Sequence, residues 1–388
     1  MADLHPTDAA EVAAIVAQGR PIEILGRGSK RVIGRAVPAD TRLYLDRLGG
    51  ILLYEPDEMV ISAHAGTPLS TIERALAAER QRLAFAPPDW RGLLESASDD
   101  QTIGGVIACN LSGSSRLSAG AARDHLIGFV AVNGRGETFK SGGRVVKNVT
   151  GYDLSKLMAG SFGTLAVLTQ VTLRAMPMAD YEATLTVRGL DAAAATKLFS
   201  QVLGGPFSIV SAAWLPCELA PSVGLEGDVA LLRLEGLEIS VKERCAALAQ
   251  THRVEVTPLE GESSHSLWKA LGDGVPLARD SQAALWRISM PPSVGANFVA
   301  ALSQARGWLD WGGGLCWLAV ADEGDACAAS IRALLAESGG HATLIRASES
   351  TRARVPVFEP LTPALAALTT RIKAEFDPLG ILNPRRMG

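Results

Sequence analysis

The sequence predicts an α+β chain of more than one domain, with a change of character after Met176-Pro177. Three observations carry this. First, 388 residues exceed a single domain of roughly 150 residues. Second, strand-like and helix-like segments alternate along the whole chain. Third, the glycine-dense motifs all lie before residue 177, whereas 178–354 holds six of the seven tryptophans, at 214, 268, 286, 308, 311 and 317. Hydrophobic residues at 47% and charged residues at 20% are the proportions of a folded chain able to bury a large core.

The elements follow in order. Thr7 is expected to cap a first helix whose apolar face is Val12, Ile15 and Val16. Ile22–25 reads as a strand running into the loop Gly26-Arg27-Gly28-Ser29-Lys30. Residues 43–45 and 59–63 read as strands. A helix is expected from Pro68 to about Gln81, with proline in its first turn, where a missing N–H does no harm. Thr102-Ile103-Gly104-Gly105 opens a further helix. Residues 127–132 and 137–140 read as a hairpin around Asn133-Gly134-Arg135-Gly136. A short helix over 151–159, with Asp153 as N-cap and Gly160 as C-cap, leads through Ser161-Phe162-Gly163-Thr164 into a β-branched run ending at Leu173. Near the C-terminus an amphipathic helix through Leu365, Leu368, Ile372 and Phe376 runs into Asp377-Pro378-Leu379-Gly380-Ile381-Leu382-Asn383-Pro384.

Several function classes lose support. Net charge is −4, and no run of five basic residues occurs, so a nucleic-acid or anionic-membrane footprint is missing. The five cysteines, at 109, 217, 245, 316 and 327, are odd in number and scattered. That pattern argues against a disulfide framework and against a zinc or iron–sulfur site made by this chain alone, and it fits a reducing compartment. The first residues lack the positive and apolar regions of a signal peptide, and no apolar run approaches 18 residues. A cytoplasmic location is expected, with contact to the inner membrane only through a partner.

Three motifs could carry chemistry. A strand entering Gly26-Arg27-Gly28-Ser29 can present successive backbone N–H groups as an anion-binding nest, with Arg27, Lys30 and Arg31 adding charge; a plain turn is the alternative. The spacing is neither G-x-G-x-x-G nor G-x-x-x-x-G-K-[ST]. In the second motif, the almost bare first turn at Thr102, Gly104 and Gly105 lets a bulky group approach backbone, and a helix start favours anions; Asn110, Ser112 and Gly113 follow in a serine-rich loop. Tight helix packing explains the same glycines. In the third, Gly160, Ser161, Gly163, Thr164 and Leu165 precede a buried strand, as close passage of backbone past a ligand would require.

Taken together, in this order and spacing, these motifs resemble the FAD-binding domain of the vanillyl-alcohol oxidase/p-cresol methylhydroxylase (PCMH) flavoproteins. Within that family, the runs 145–157, 285–292, 311–313 and 376–384 are similar to the FAD-binding subunits of multi-subunit glycolate oxidases. The resemblance implies a two-subdomain PCMH-type FAD-binding domain over 1–177, completed by 355–388, and a second α+β cap domain over 178–354. It implies that Gly26, Arg27, Gly28, Ser29 and Lys30 wrap the FAD pyrophosphate. Thr102, Gly104, Gly105, Asn110, Ser112 and Gly113 would line pyrophosphate, ribityl chain and flavin. Gly160, Ser161, Gly163, Thr164 and Leu165 would lie against the adenosine, and Asn383 would return the C-terminus to this domain.

No histidine falls in 26–36, so noncovalent FAD is expected, with His125 taken as structural. The metal motif of catalytic relatives, H-x-G-x-G-x-x-H, is missing, and His252, His265 and His341 are expected to be isolated and exposed; no metal is expected. Lys147, Tyr152 and Arg287 are weak candidates for flavin or substrate contacts, since an arginine can hold a carboxylate through two hydrogen bonds. The family implies a complex with a second FAD subunit and an iron–sulfur subunit, acting on a small 2-hydroxy acid. A stand-alone dehydrogenase and a scaffold that only binds FAD or assembles the complex are the other readings.

Overall fold

The computed structural model describes residues 2–143, 152–302 and 304–388. Lys147 and most of the 145–157 motif lie outside these. The helix Ala9–Val16 starts one residue later than the sequence suggests: Asp8 caps it, accepting from Glu11 N–H at 2.8 Å, while Thr7 N–H donates back to Glu11. Aspartate and threonine both suit the position, and the reciprocal glutamate selects the register. Val12 and Val16 are buried in the core, and Ala2–Leu4, Thr41–Tyr44 and Ile22–Leu25 form a three-stranded parallel sheet.

A second sheet has five antiparallel strands in the order Ile51–Glu55, Val60–His64, Ala166–Arg174, Leu126–Asn133, Thr138–Gly142. Ala166–Arg174 lies at its centre and is buried over most of its length, which accounts for its continuous β-branched and apolar sequence rather than an alternating one. The expected hairpin closes it: Asn133 Oδ1 accepts from the N–H groups of Arg135 and Glu137. The helices Leu69–Ala78 and Ile103–Ala108 pack into the same core through Leu69, Ile72, Leu76, Ile103, Val106 and Ile107.

Residues 181–346 supply an eight-stranded antiparallel sheet, ordered Thr257–Glu260, Tyr181–Arg188, Val229–Gly236, Ser211–Leu215, Arg306–Asp310, Leu315–Ala321, Ala283–Ser289, His341–Arg346. Successive residues alternate between its faces. Leu285, Trp308, Trp317 and Leu231 join the core of the first sheets, whereas Trp286, Leu318 and Leu232 pack beneath Ala192–Leu203, Glu238–His252 and Ala328–Ser338. Trp90 meets Trp317 edge to face with ring centroids 5.3 Å apart. Trp268, Trp308, Trp311 and Trp317 are core residues that tie the large sheet to the rest of the chain, whereas Trp214 and Trp286 belong to the core on its other face.

The C-terminal helix Pro363–Phe376 forms where the amphipathic pattern places it, but it has no buried residue, and Leu365 and Leu368 are exposed. Only Ile372 and Phe376 pack against the core. Beyond it the chain returns to the first sheet: Ile22 N–H donates to Ile381 C=O, and Asn383 N–H to Ile22 C=O.

Candidate functional site

A cleft of about 720 Å³ opens between the end of Ile22–Leu25, the helix Ile103–Ala108, the turn at 161–163 and the C-terminal tail. It gathers Gly26, Arg27, Gly28, Ser29, Lys30, Thr102, Gly104, Gly105, Ser161, Gly163 and Asn383 from four distant stretches of sequence. The loop at its mouth is built as a nest. Gly28 has φ +81°, and among the described residues the N–H groups of residues 26–30 donate to no protein acceptor. Five successive unsatisfied donors at a concave surface make an anion site.

The glycines are required by contact. A Cβ on Gly26 would run into Thr102 Oγ1, one on Gly104 would come 2.7 Å from Ala65 Cβ, and one on Gly163 would come 2.8 Å from Asn383 Nδ2. Thr102 caps Ile103–Ala108 as its position suggests, accepting from Gly105 N–H at 3.3 Å. The sequence suggests free donors at that helix start as well. Instead, Ile103 N–H donates to Thr67 C=O and Gly104 N–H to Ala65 C=O, so the first turn is spent on internal packing. The donors available to an anion come from residues 26–30.

Charge is layered around the nest. Arg27 pairs with Asp99 at 2.5 Å, and Arg31 makes two bonds of 2.8 Å to the buried Glu23. Lys30 is different. It is 7% exposed, its Nζ donates to Gln101 Oε1 at 2.7 Å, and it has no carboxylate partner among the described residues. Burial pulls its ammonium down to about 8. Cys109 lines the same cleft, and burial raises its thiol.

Asn383 acts as a staple between two walls. Its Oδ1 accepts from Ile24 N–H at 2.7 Å and its Nδ2 donates to Phe162 C=O at 2.8 Å. Other expected residues stand behind the cleft or away from it. Asn110, at φ +51°, accepts from Arg123 N–H, and Ser112 accepts from Ala122 N–H. Gly160 N–H donates to Ile107 C=O, Thr164 Oγ1 donates to Ser161 C=O, and Leu165 is core. Gly113 borders a separate cavity of about 1120 Å³ beside Pro88 and Trp268. Its carbonyl accepts from Trp311 Nε1.

Of the weak candidates, Tyr152 is 92% exposed and does not line the cleft. Arg287 is half-buried on the large sheet. It stacks on one side of Trp311 at 4.7 Å, with Arg116 also against that ring at 4.4 Å, and makes no hydrogen bond among the described residues. Burial first, then Arg116, lower its guanidinium to about 10. His265 and His341 are exposed, but His252 is half-buried against Phe207. His125 is buried outside the cleft, bonded to Ala119 C=O and packed on Phe85. Sequence reasoning missed Arg386, which enters the cleft from the last residues of the chain.

Residues 2–142 match the family model described as "FAD binding domain". The chain is 33% identical to the glycolate oxidase subunit GlcE of Escherichia coli over 97% of its own length and 95% of that protein. It belongs to the GlcE family of FAD-binding oxidoreductase subunits. The glycolate oxidase subunit GlcD of Bacillus subtilis is 31% identical over 50% of this chain and 41% of its own. Crystalline p-cresol methylhydroxylase with substrate bound superposes with a TM-score of 0.73 at 14% identity, covering 100% of this chain and 88% of that one. The PCMH-type α+β fold is thus shared, and FAD is the cofactor of this GlcE-family chain. The cleft fits that group: the nest and the buried Lys30 suit a pyrophosphate.

Among the described residues no group of three or more histidine, cysteine or acidic side chains is placed to hold a metal ion, and no helix is long and apolar enough to cross a membrane.

Proposed function

We propose that this chain is the FAD-holding subunit of a complex that oxidises glycolate or a similar small 2-hydroxy acid, with electrons leaving through an iron–sulfur partner. The unsatisfied N–H groups of residues 26–30, backed by the buried, unpaired Lys30, carry the reading. Gly26, Gly28, Ser29 and Lys30 hold the pyrophosphate; Thr102, Gly104 and Gly105 let backbone lie flat against it. Ser161 and Gly163, fixed by Asn383, border the adenosine side. Asn110, Ser112, Gly160, Thr164 and Leu165 shape those walls from behind. Bound FAD supplies a two-electron acceptor; the protein supplies orientation and electrostatics. FAD is held noncovalently, because His125 is buried elsewhere and the Cys109 thiol is kept protonated by burial.

The names of the GlcE and GlcD relatives support a hetero-oligomer with a second flavin subunit. The chain works in the cytoplasm, reaching a membrane only through a partner. A second reading, a stand-alone 2-hydroxy-acid dehydrogenase, is favoured by Arg287, whose free guanidinium edge could take a substrate carboxylate. Reduction of a dye acceptor by glycolate separates the two. The complex reading expects the purified yellow chain to be inactive alone and active once its partners are added. Full turnover by the isolated chain would replace it with the second reading.

A further inference from the structure

The last residues of the chain contain a buried cation with no direct ion-pair partner among the described residues. Arg386 is 5% exposed and lines the cleft beside Lys30 and Cys109. One arm of its guanidinium is used: Nη2 donates to Lys30 C=O at 3.0 Å and to Arg31 C=O at 3.2 Å. The other arm, Nη1, is buried with no hydrogen-bond partner among the described residues. No carboxylate pairs directly with Arg386 among the described residues; burial is the main cost to its charge, and the attraction of nearby Glu23, already bonded to Arg31, is opposed by repulsion from Arg31 and Arg352.

Keeping a guanidinium dry with one arm empty is costly unless an anion occupies the site when the protein works. The contacts around it position rather than neutralise it. Arg35 N–H donates to Arg386 C=O at 3.0 Å, and Arg352 Nη1 donates to Val32 C=O and Gly34 C=O. A Cβ on Gly34 would stand 2.8 Å from that same Arg386 carbonyl. The phosphate loop and the C-terminal tail are therefore closed on each other, with Arg386 lining the cleft at the seam.

We infer that Arg386 is a phosphate ligand: its free Nη1 donates to the pyrophosphate of the bound dinucleotide, completing from the C-terminus the site that residues 26–30 begin. This rests on the FAD reading of the cleft. Lys30 and Arg386 together supply two buried positive charges to a pyrophosphate carrying two negative ones. A guanidinium fixed by two carbonyls is pre-organised for that contact in a way a lysine is not.

The test is binding by the full-length apoprotein, with flavin fluorescence for FAD and riboflavin and competition for ADP and adenosine. Arg386→Gln is expected to weaken FAD and ADP by about 10- to 100-fold, the worth of a charge-assisted hydrogen bond. Riboflavin and adenosine, which lack phosphate, should change less than about threefold. Arg386→Lys keeps the charge but loses the fork, and should fall between; it carries the test if the glutamine variant does not fold. Equal losses for all four ligands would mean that Arg386 only shapes the cleft, and FAD binding within about twofold of wild type in both variants would mean it touches no phosphate; either overturns the inference and leaves the FAD reading intact. A wild-type chain that binds no FAD removes both.

Discussion

Replacing Lys30 with methionine should weaken FAD binding while leaving the apoprotein as stable as before, or more so. Burial lowers the Lys30 ammonium from 10.5 to about 8. The folded apoprotein therefore holds this proton less tightly than the unfolded chain does. The resulting cost is fully present below about pH 8 and fades as the pH rises toward 10.5, so this group makes stability rise with pH across that window. At about 1.4 kcal/mol per pKa unit the cost is about 3 kcal/mol. Methionine fills much of the same volume without charge, but it removes the donor at 2.7 Å from Gln101 Oε1, a loss of about 1–3 kcal/mol. The net for the apoprotein at pH 7 lies between no change and about 2 kcal/mol of stabilisation. The holoprotein loses a charge-assisted contact to phosphate, about 10- to 100-fold in Kd. Urea unfolding of apoprotein at pH 7 and 9.5, with FAD titration by fluorescence quenching, measures both. A K30M apoprotein less stable than wild type by about 3 kcal/mol at pH 7, or one binding FAD as tightly, would refute the reasoning.

Further outcomes follow from other contacts. Gly26→Ala drives a methyl into Thr102 Oγ1; a cost of about 1–3 kcal/mol is expected, with partial recovery of thermal stability in the G26A/T102A double variant, and no recovery would place the strain elsewhere. Asn383→Ala removes two hydrogen bonds linking Ile24 and Phe162, and should cost about 2–3 kcal/mol in chemical denaturation together with weaker FAD binding. Asp310 is buried, accepting from Ser114 Oγ at 2.6 Å, and burial raises its carboxyl to about 6. A raised carboxyl pKa favours the folded state most below the ordinary value of 3.8, and that contribution is lost as the pH rises to about 6. In Asp310→Asn this part of the pH–stability profile should flatten between pH 4 and 6, and an unchanged profile would contradict the assignment.

The sequence exposes what is local. The β-branched run before Arg174, the Asn133–Gly136 turn, and the Thr102 and Asp153 caps are each fixed by neighbours a few residues away, and all are present. The glycine motifs also point to the cleft, because a close approach demands a missing side chain wherever the partner comes from. The choice between Thr7 and Asp8 depends on which register Glu11 completes, and both residues suit a cap. Arg386 is invisible to such reasoning: nothing near it in sequence marks an arginine that will sit beside Lys30, 356 residues away. The donors of Ile103 and Gly104 are lost to Thr67 and Ala65 for the same reason. The helix Pro363–Phe376 shows a related limit, since periodicity reveals an apolar face at Leu365 and Leu368 but not what covers it.

The most direct measurement is the visible absorption spectrum of the purified chain, before and after acid precipitation. A flavin spectrum that passes wholly into the supernatant is the predicted result, as expected for FAD held only by noncovalent contacts. Colour retained in the pellet would contradict noncovalent binding and direct attention to Cys109, the thiol that lines the cleft. A colourless chain that stays colourless after incubation with FAD would contradict the central claim.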